Sequence, residues 1–406
     1  MITGHTTSRM VVFTVVQAQQ AVALTVPTAL ERARAASPTL RVAQAQLTDA
    51  LAKVRGASAS PLPMLSIAHG VGNGTGGLDE DILLSVPLEL RSKREPRVAA
   101  ARAEALAALA RRDTVERELS LTVRLAYTES LQAAAEVALA RQQAALTQAL
   151  VEAAEHQFQA GDAPRSNVER GKIERAKAEQ ALQLALTESE NRLTALRSLT
   201  GTAPGTPLTL SDTLPISAPE RTLVALLALA KTLRPERREA QALETARRAD
   251  LQTAKSTRQP DLIVEGRRAT LTPLLGPSSI RLGVTFPLFD SGRIASGVQS
   301  ARAAQSQQLA QSAEVERTIA LEVETSWRSY DQARRTLLTF TAERLERAKT
   351  VQELAKLGYE RGANSYLELL DAQQAARSEQ LEFVRAQAAL ARAQTALERA
   401  VGGKLE

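Results

Sequence analysis

Between Val98 and Ala160 the chain runs for 63 residues without a glycine or a proline, and between Val298 and Leu357 it does so again for 60. Glycine and proline are the residues that interrupt helices most readily. Within the second run Ile319, Val323, Trp327, Tyr330 and Leu337 recur at intervals of three, four and seven, the spacing by which helices pack side by side. At a rise of ~1.5 Å per residue, either run left unbroken would extend about 90 Å. No compact globule holds such an element, so the expectation is a bundle of long rods. The low aromatic content, 3%, agrees with close contacts between helices rich in alanine and leucine.

The two runs belong to a tandem duplication. Val86-Pro87-Leu88 returns as Phe286-Pro287-Leu288, 200 positions on, and the same shift places Val98 on Val298 and Ala101-Arg102 on Ala301-Arg302. Leu119, Val123 and Tyr127 fall on Ile319, Val323 and Trp327. After one inserted residue, Phe158-Gln-Ala-Gly161 matches Tyr359-Glu-Arg-Gly362, and Leu196 with Gly201 matches Leu397 with Gly402, at a shift of 201. Each half reads as helix, two strands, a very long helix, a sharp turn and another long helix. The halves are 24–201 and 221–406, joined by a linker at 202–220 rich in proline, serine and threonine.

Strands are expected at about 62–72, 80–89, 261–271 and 279–289. Ile280, Leu282, Val284 and Phe286 alternate with Arg281, Gly283 and Thr285; Ile82, Leu84 and Val86 repeat the pattern, as do Leu65 and Ile67. The third segment is interrupted by Glu265, Arg267 and Arg268, so three of the four fit. No stretch approaches the roughly 20 apolar residues of a spanning helix, so membrane crossing would require a closed barrel. Four strands cannot close one. On this reading Ile82, Leu84, Val86, Ile280, Leu282, Val284 and Phe286 face lipid, and several copies of the chain are needed to satisfy the sheet edges.

Charge and composition exclude other classes. The 51 basic residues are interspersed with 45 acidic ones, and no basic block carries interleaved aromatics, so nucleic acid is not an expected partner. Without cysteine there is no disulfide, no thiol nucleophile and no lipid anchor on cysteine. No phosphate-cradling loop, zinc signature or nucleophile with a base appears, so neither an enzyme nor a cofactor is expected. His69 and His156 lack partners at ligand spacing, which offers no metal site. Arg9 followed by the apolar run Met10 to Val16 and small residues to Ala23 reads as an export signal over 1–23. A soluble periplasmic coiled-coil scaffold or adaptor-like interaction protein is the rival reading, but it leaves two amphipathic hairpins 200 residues apart unexplained.

The segments PLFDSGR (Pro287 to Arg293) and GYERGANSYLELLDAQ (Gly358 to Gln373), with the Leu-x-x-x-x-Gly ending at Gly402, resemble the outer-membrane efflux proteins of the TolC family. The likeness covers both halves. It implies a mainly α fold with a small β part, in which tandem-duplicated long antiparallel helices form an α-barrel. Four strands per chain would contribute to a trimeric, twelve-stranded transmembrane β-barrel. It also implies a passive outer-membrane channel in a tripartite efflux or type I secretion system. The partners would be two more copies of the chain, outer-membrane lipid, a periplasmic adaptor and an inner-membrane pump, of the RND type. The turns at Gly161 and at Gly362, Ala363, Asn364 and Ser365 would be where the adaptor docks. Glu368 and Asp371 would ring the periplasmic aperture; as single residues they also read as a helix cap and a solvated carboxylate. The segment VPLELRSKREPRVAAARAEA resembles the heavy-metal branch of the family.

Overall fold

The computed structural model describes residues 22–69, 80–268, 278–287, 289, 292–340 and 343–405. The signal expected over 1–23 lies outside these residues except for Val22 and Ala23, which belong to a strand. The elements run in the order β1 (Val22–Leu24), α1 (Val26–Ala36), α2 (Pro38–Ser58), β2 (Met64–His69), β3 (Glu80–Leu88), α3 (Arg91–Ala160) and α4 (Arg165–Thr200). The order then repeats as β4 (Leu208–Leu210), α5 (Leu223–Leu233), α6 (Pro235–Ser256), β5 (Asp261–Arg268), β6 (Ser278–Thr285), α7 (Arg293–Phe340), α8 (Arg344–Glu360) and α9 (Tyr366–Val401).

The first long run is a single helix of 70 residues, about 105 Å of helical backbone at ~1.5 Å per residue. The second is divided: α7 stops at Phe340 and α8 begins at Arg344, whose guanidinium stacks 4.5 Å from the centre of the Phe340 ring. Neither glycine nor proline marks that division in the sequence.

Two compact units make up the chain, and they do not follow the duplication. The first comprises Met1–Ala36, Ala126–Leu214 and Arg347–Ala388. In it β1 pairs in parallel with β4, and Tyr127 donates its hydroxyl proton to the Leu24 carbonyl at 2.8 Å. Burial, followed by the hydrogen bond with Asp212, pushes the Tyr127 hydroxyl up to about 12. Part of the linker is therefore a strand, where the sequence suggested only a loop. The second unit comprises Ser37–Leu125, Pro215–Glu346 and Ala389–Glu406. Here the other end of the linker is held by α7: Tyr330 donates to the Pro219 carbonyl at 2.6 Å and the Trp327 indole to the Arg221 carbonyl at 2.8 Å. The end of α9 is fixed by Arg399, which pairs with Glu118 of α3 at 2.6 Å and Glu322 of α7 at 3.0 Å.

The second unit also holds a four-stranded antiparallel sheet in the order β2-β3-β5-β6. The central pairing, β3 with β5, joins the two halves of the chain, with Val86 opposite Val264 and Ile82 opposite Arg268. Pro87 lies beyond the start of β2, which begins opposite Ser85, and is in register with Ile263 of β5 alone, so the ladder that its missing N–H can interrupt is one-sided. The expected fourth strand is shortened. Asp261 is the first residue of β5 and pairs with Thr285, so Phe286 finds no partner and lies just beyond β6.

Candidate functional sites: the sheet faces and the helical turns

Register sorts the strand residues into two faces, because alternate residues of a strand point to opposite sides. One face carries Leu65 and Ile67 of β2, Ile82, Leu84 and Val86 of β3, Leu262 and Val264 of β5, and Ile280, Leu282 and Val284 of β6. Much of this face is open: Ile280 is 85% exposed, Leu282 72% and Leu65 64%. A large apolar surface left uncovered marks a contact with lipid or with another protein. Phe286, also exposed, continues it beyond the end of β6.

The other face carries Asp261, Glu265 and Arg267 of β5, Ser85 of β3, Ser66 of β2, and Arg281 and Ser279 of β6, with Glu265 directly opposite Arg281 and with Met64 and Leu83 as apolar members on the β2 side. Of the three charges expected to interrupt β5, Glu265 and Arg267 lie on this polar face, whereas Arg268 does fall on the apolar one, and Ile263 stands on the polar side. Ile263 is accommodated because it lies across Gly283, where an added Cβ would stand 2.7 Å from its side chain.

At the first turn, α3 ends at Ala160 and Gly161 takes φ 85°; at the second, α8 ends at Glu360 and Gly362 takes φ 72°. In both, the reversal is closed by backbone bonds: Asp162 N–H to the Gln157 carbonyl at 2.9 Å, and Ala363 N–H to the Gly358 carbonyl at 2.7 Å. A Cβ at either glycine would meet nothing within 4 Å, so the left-handed backbone, not space, requires glycine.

The surroundings of the two turns differ. In the second, Ser365 and Glu368 form a reciprocal cap: the Ser365 N–H donates to Glu368 Oε2 at 2.7 Å and the Glu368 N–H to Ser365 Oγ at 3.3 Å. Asn364 folds over Gly358, where a Cβ would lie 2.6 Å from its side chain. Tyr366 is buried, its ring 5.6 Å from that of Tyr359, and Tyr359 donates to Gln157 Oε1 at 2.6 Å. Gly171 of α4 allows the close approach: a Cβ there would be 2.8 Å from the Tyr366 hydroxyl. Burial, and then the neighbouring Tyr359 and Glu174, raise the Tyr366 hydroxyl above the ordinary tyrosine value. Ala363, Ser365, Glu368 and Asp371 are exposed, and Asn364 is half-buried. Asp371 and Arg170, both exposed, have no ion pair among the described residues. The aromatic brace was not read from the sequence, although Tyr359 and Tyr366, seven apart across a turn, were its signal.

Among the described residues no helix is long and apolar enough to cross a membrane, and no group of three or more His, Asp or Glu could hold a metal ion. An apolar sheet face open to its surroundings, in a chain that is mostly long helices, is the feature that the family must explain. The chain matches the family model "Outer membrane efflux protein" over residues 29–202 and again over 226–403, and it belongs to that family. It is thus an outer-membrane channel component of a tripartite efflux or secretion system.

Solved structures share its fold. It superposes on the outer-membrane channel OprN with a TM-score of 0.78 at 20% identity, covering 93% of this chain and 90% of that one. For the outer-membrane protein VceC of Vibrio cholerae the TM-score is 0.76 at 20% identity, with coverage of 94% and 97%. For CusC, whose structures describe transmembrane channel formation, it is 0.77 at 19%, with coverage of 93% and 92%. No curated protein matches the chain.

Proposed function

We propose that three copies of this chain close their sheets into one twelve-stranded barrel in the outer membrane, with the Ile280, Leu282 and Val284 face against lipid and the Glu265 and Arg281 face lining the lumen. The observation that carries the reading is the four-stranded sheet itself, which ends at β2 and β6 with no further strand paired to either among the described residues. In hydrocarbon every unpaired backbone group costs several kcal/mol, so edges must meet edges. The repeats at 24–201 and 221–406 would each supply one hairpin to the sheet. A signal cut after Ala18 would leave β1 whole, whereas a cut after Ala23 would remove two of its three residues.

The turns at Gly161 and at Gly362, Ala363, Asn364 and Ser365 are where a periplasmic adaptor docks, linking the channel to an inner-membrane pump of the RND type. The Asn364 side chain, folded over Gly358, braces that turn from within. Glu368 and Asp371 converge from three copies at the aperture and favour cations there. Glu368 is held by its cap, so Asp371, exposed and without an ion pair among the described residues, contributes the freer charge. The likeness of VPLELRSKREPRVAAARAEA to the heavy-metal branch points to metal ions as cargo, passing without a resident site.

Sizing of the detergent-extracted protein with light scattering tests the assembly. The expected protein mass is about three chains of 43.6 kDa, less any cleaved signals; a lone chain overturns the barrel. For the aperture, Glu368→Gln with Asp371→Asn should lower cation selectivity in single-channel recordings. Unaltered selectivity removes both residues from that role.

A further inference from the structure

We propose that the cleft between the start of α3 and the end of α6 holds the phosphate headgroup of an anionic phospholipid, in the membrane leaflet nearer the helices. The inference rests on the reading that the Ile280, Leu282 and Val284 face meets lipid.

Which side of the helices the cleft opens on follows from the ion pairs. Asp261 lies on the polar face of the sheet, and Lys93 donates to it at 2.6 Å. Glu104, three helical turns further along the same side of α3, lies 4.0 Å from Arg247 of α6. These contacts assign Lys93 and Glu104, with Arg97 between them in register, to the side of α3 continuous with the polar sheet face. Glu95, Ala99 and Arg102 are two residues out of step with them, about 200° around the helix, and so belong to the side continuous with the apolar face.

On that apolar side the cleft is lined by Ser92, Glu95 and Ala99 of α3 and by Arg248, Gln252 and Lys255 of α6. Glu95 is already paired with Arg91. Arg248 and Lys255 are exposed and have no hydrogen bond or ion pair among the described residues, nor does Arg102 on the far flank of α3. Arg94, also on that flank, donates to the Ser58 carbonyl. Positive charge therefore collects without protein counter-charge directly beneath a face of exposed isoleucine, leucine and valine. Lys255 stands within two turns of β5, and its long side chain reaches toward the headgroup layer with its stem on apolar surface. Arg248, two turns deeper, backs it from the periplasmic side. Cations next to a bilayer attract anionic lipid, whereas a zwitterionic headgroup offers no net charge.

The test uses the full-length assembly in nonionic detergent, offered equimolar dioleoyl phosphatidylglycerol and dioleoyl phosphatidylcholine, with retained lipids counted by native mass spectrometry. The wild type should retain phosphatidylglycerol about tenfold over phosphatidylcholine, and Arg248→Gln with Lys255→Gln should cut that preference to about twofold or less. Both side chains are exposed and make no hydrogen bond or ion pair among the described residues, so the double variant should fold as the wild type does. Equal retention of both lipids, or a preference unchanged in the double variant, overturns the proposal. So does loss of the preference in 10 mM inorganic phosphate with matched ionic strength, which would mark a site for a free anion. A polarity-sensitive fluorophore at Leu282→Cys in liposomes separates the two levels: a watery signal refutes the lipid-facing sheet, whereas an apolar signal without lipid preference refutes the cleft alone.

Discussion

The two helical turns occupy corresponding places in the duplicated chain, yet they are held by different means. In the first, Phe158 is exposed and Arg165 lies in solvent with Glu169 3.8 Å away, and Pro164, at the cap position before α4, offers no side-chain hydrogen bond. In the second, 201 positions on, Tyr359 and Tyr366 turn inward, Ser365 and Glu368 cap α9, and Asn364 covers Gly358. A repeat fixes where a chain reverses. It leaves each copy free to stiffen the reversal or leave it loose, and here the copy with the candidate aperture residues is the stiffer one.

Removing the tyrosine that anchors the second turn should separate the copies most. Tyr366→Ala should cost the first unit about 3–5 kcal/mol, against about 0.5 kcal/mol or less for Arg165→Ala, in chemical denaturation followed by circular dichroism. Near-equal losses would mean the two turns are equally braced.

The next effect is pH-dependent and concerns the linker clamp of the first unit. Folding raises the Tyr127 hydroxyl from about 10 to about 12, so the neutral phenol is favoured in the native state. That contribution is complete below pH 10 and is lost as pH rises toward 12, about 2–3 kcal/mol in all. Tyr127→Phe should flatten this alkaline fall, and ultraviolet titration of wild-type tyrosinate should show its late midpoint.

Gly161→Val and Gly362→Val should be alike, since both positions have positive φ and open space around an added Cβ. Each should cost about 1–2 kcal/mol. A much larger loss at Gly362 would show that the side-chain brace depends on that backbone.

The smallest contrast is in the caps. Ser365→Ala should cost about 1 kcal/mol, and Pro164→Ala only a few tenths. Thermal melts of the two variants read the difference.

Much of the architecture could be read from the residues alone. The unbroken run of α3 from Val98 onward, both hairpin glycines and the alternation of β3 and β6 follow from local preferences, whereas the turns of α3 before Val98 form in spite of Pro96. What could not be read depends on pairing. β1 is three residues long and becomes a strand only because β4 lies beside it; Glu265 and Arg267 look like interruptions until Arg281 is seen across the ladder. The division between α7 and α8 lies in a stretch of ordinary helix formers. The capping role of Glu368 was legible as an alternative to the proposed aperture role, but only the paired bonds with Ser365 show how its carboxylate is held.

The middle of the sheet has a bearing on how the protein is made. Ile82 must find Arg268, and Leu88 must find Leu262, across more than 170 intervening residues. A chain emerging amino-terminus first into the periplasm thus presents its first hairpin long before the second has been delivered, with one strand edge vacant and an oily surface in water. Slow pairing of the sheet, with the oily surface of the first hairpin uncovered meanwhile, follows from this order of events.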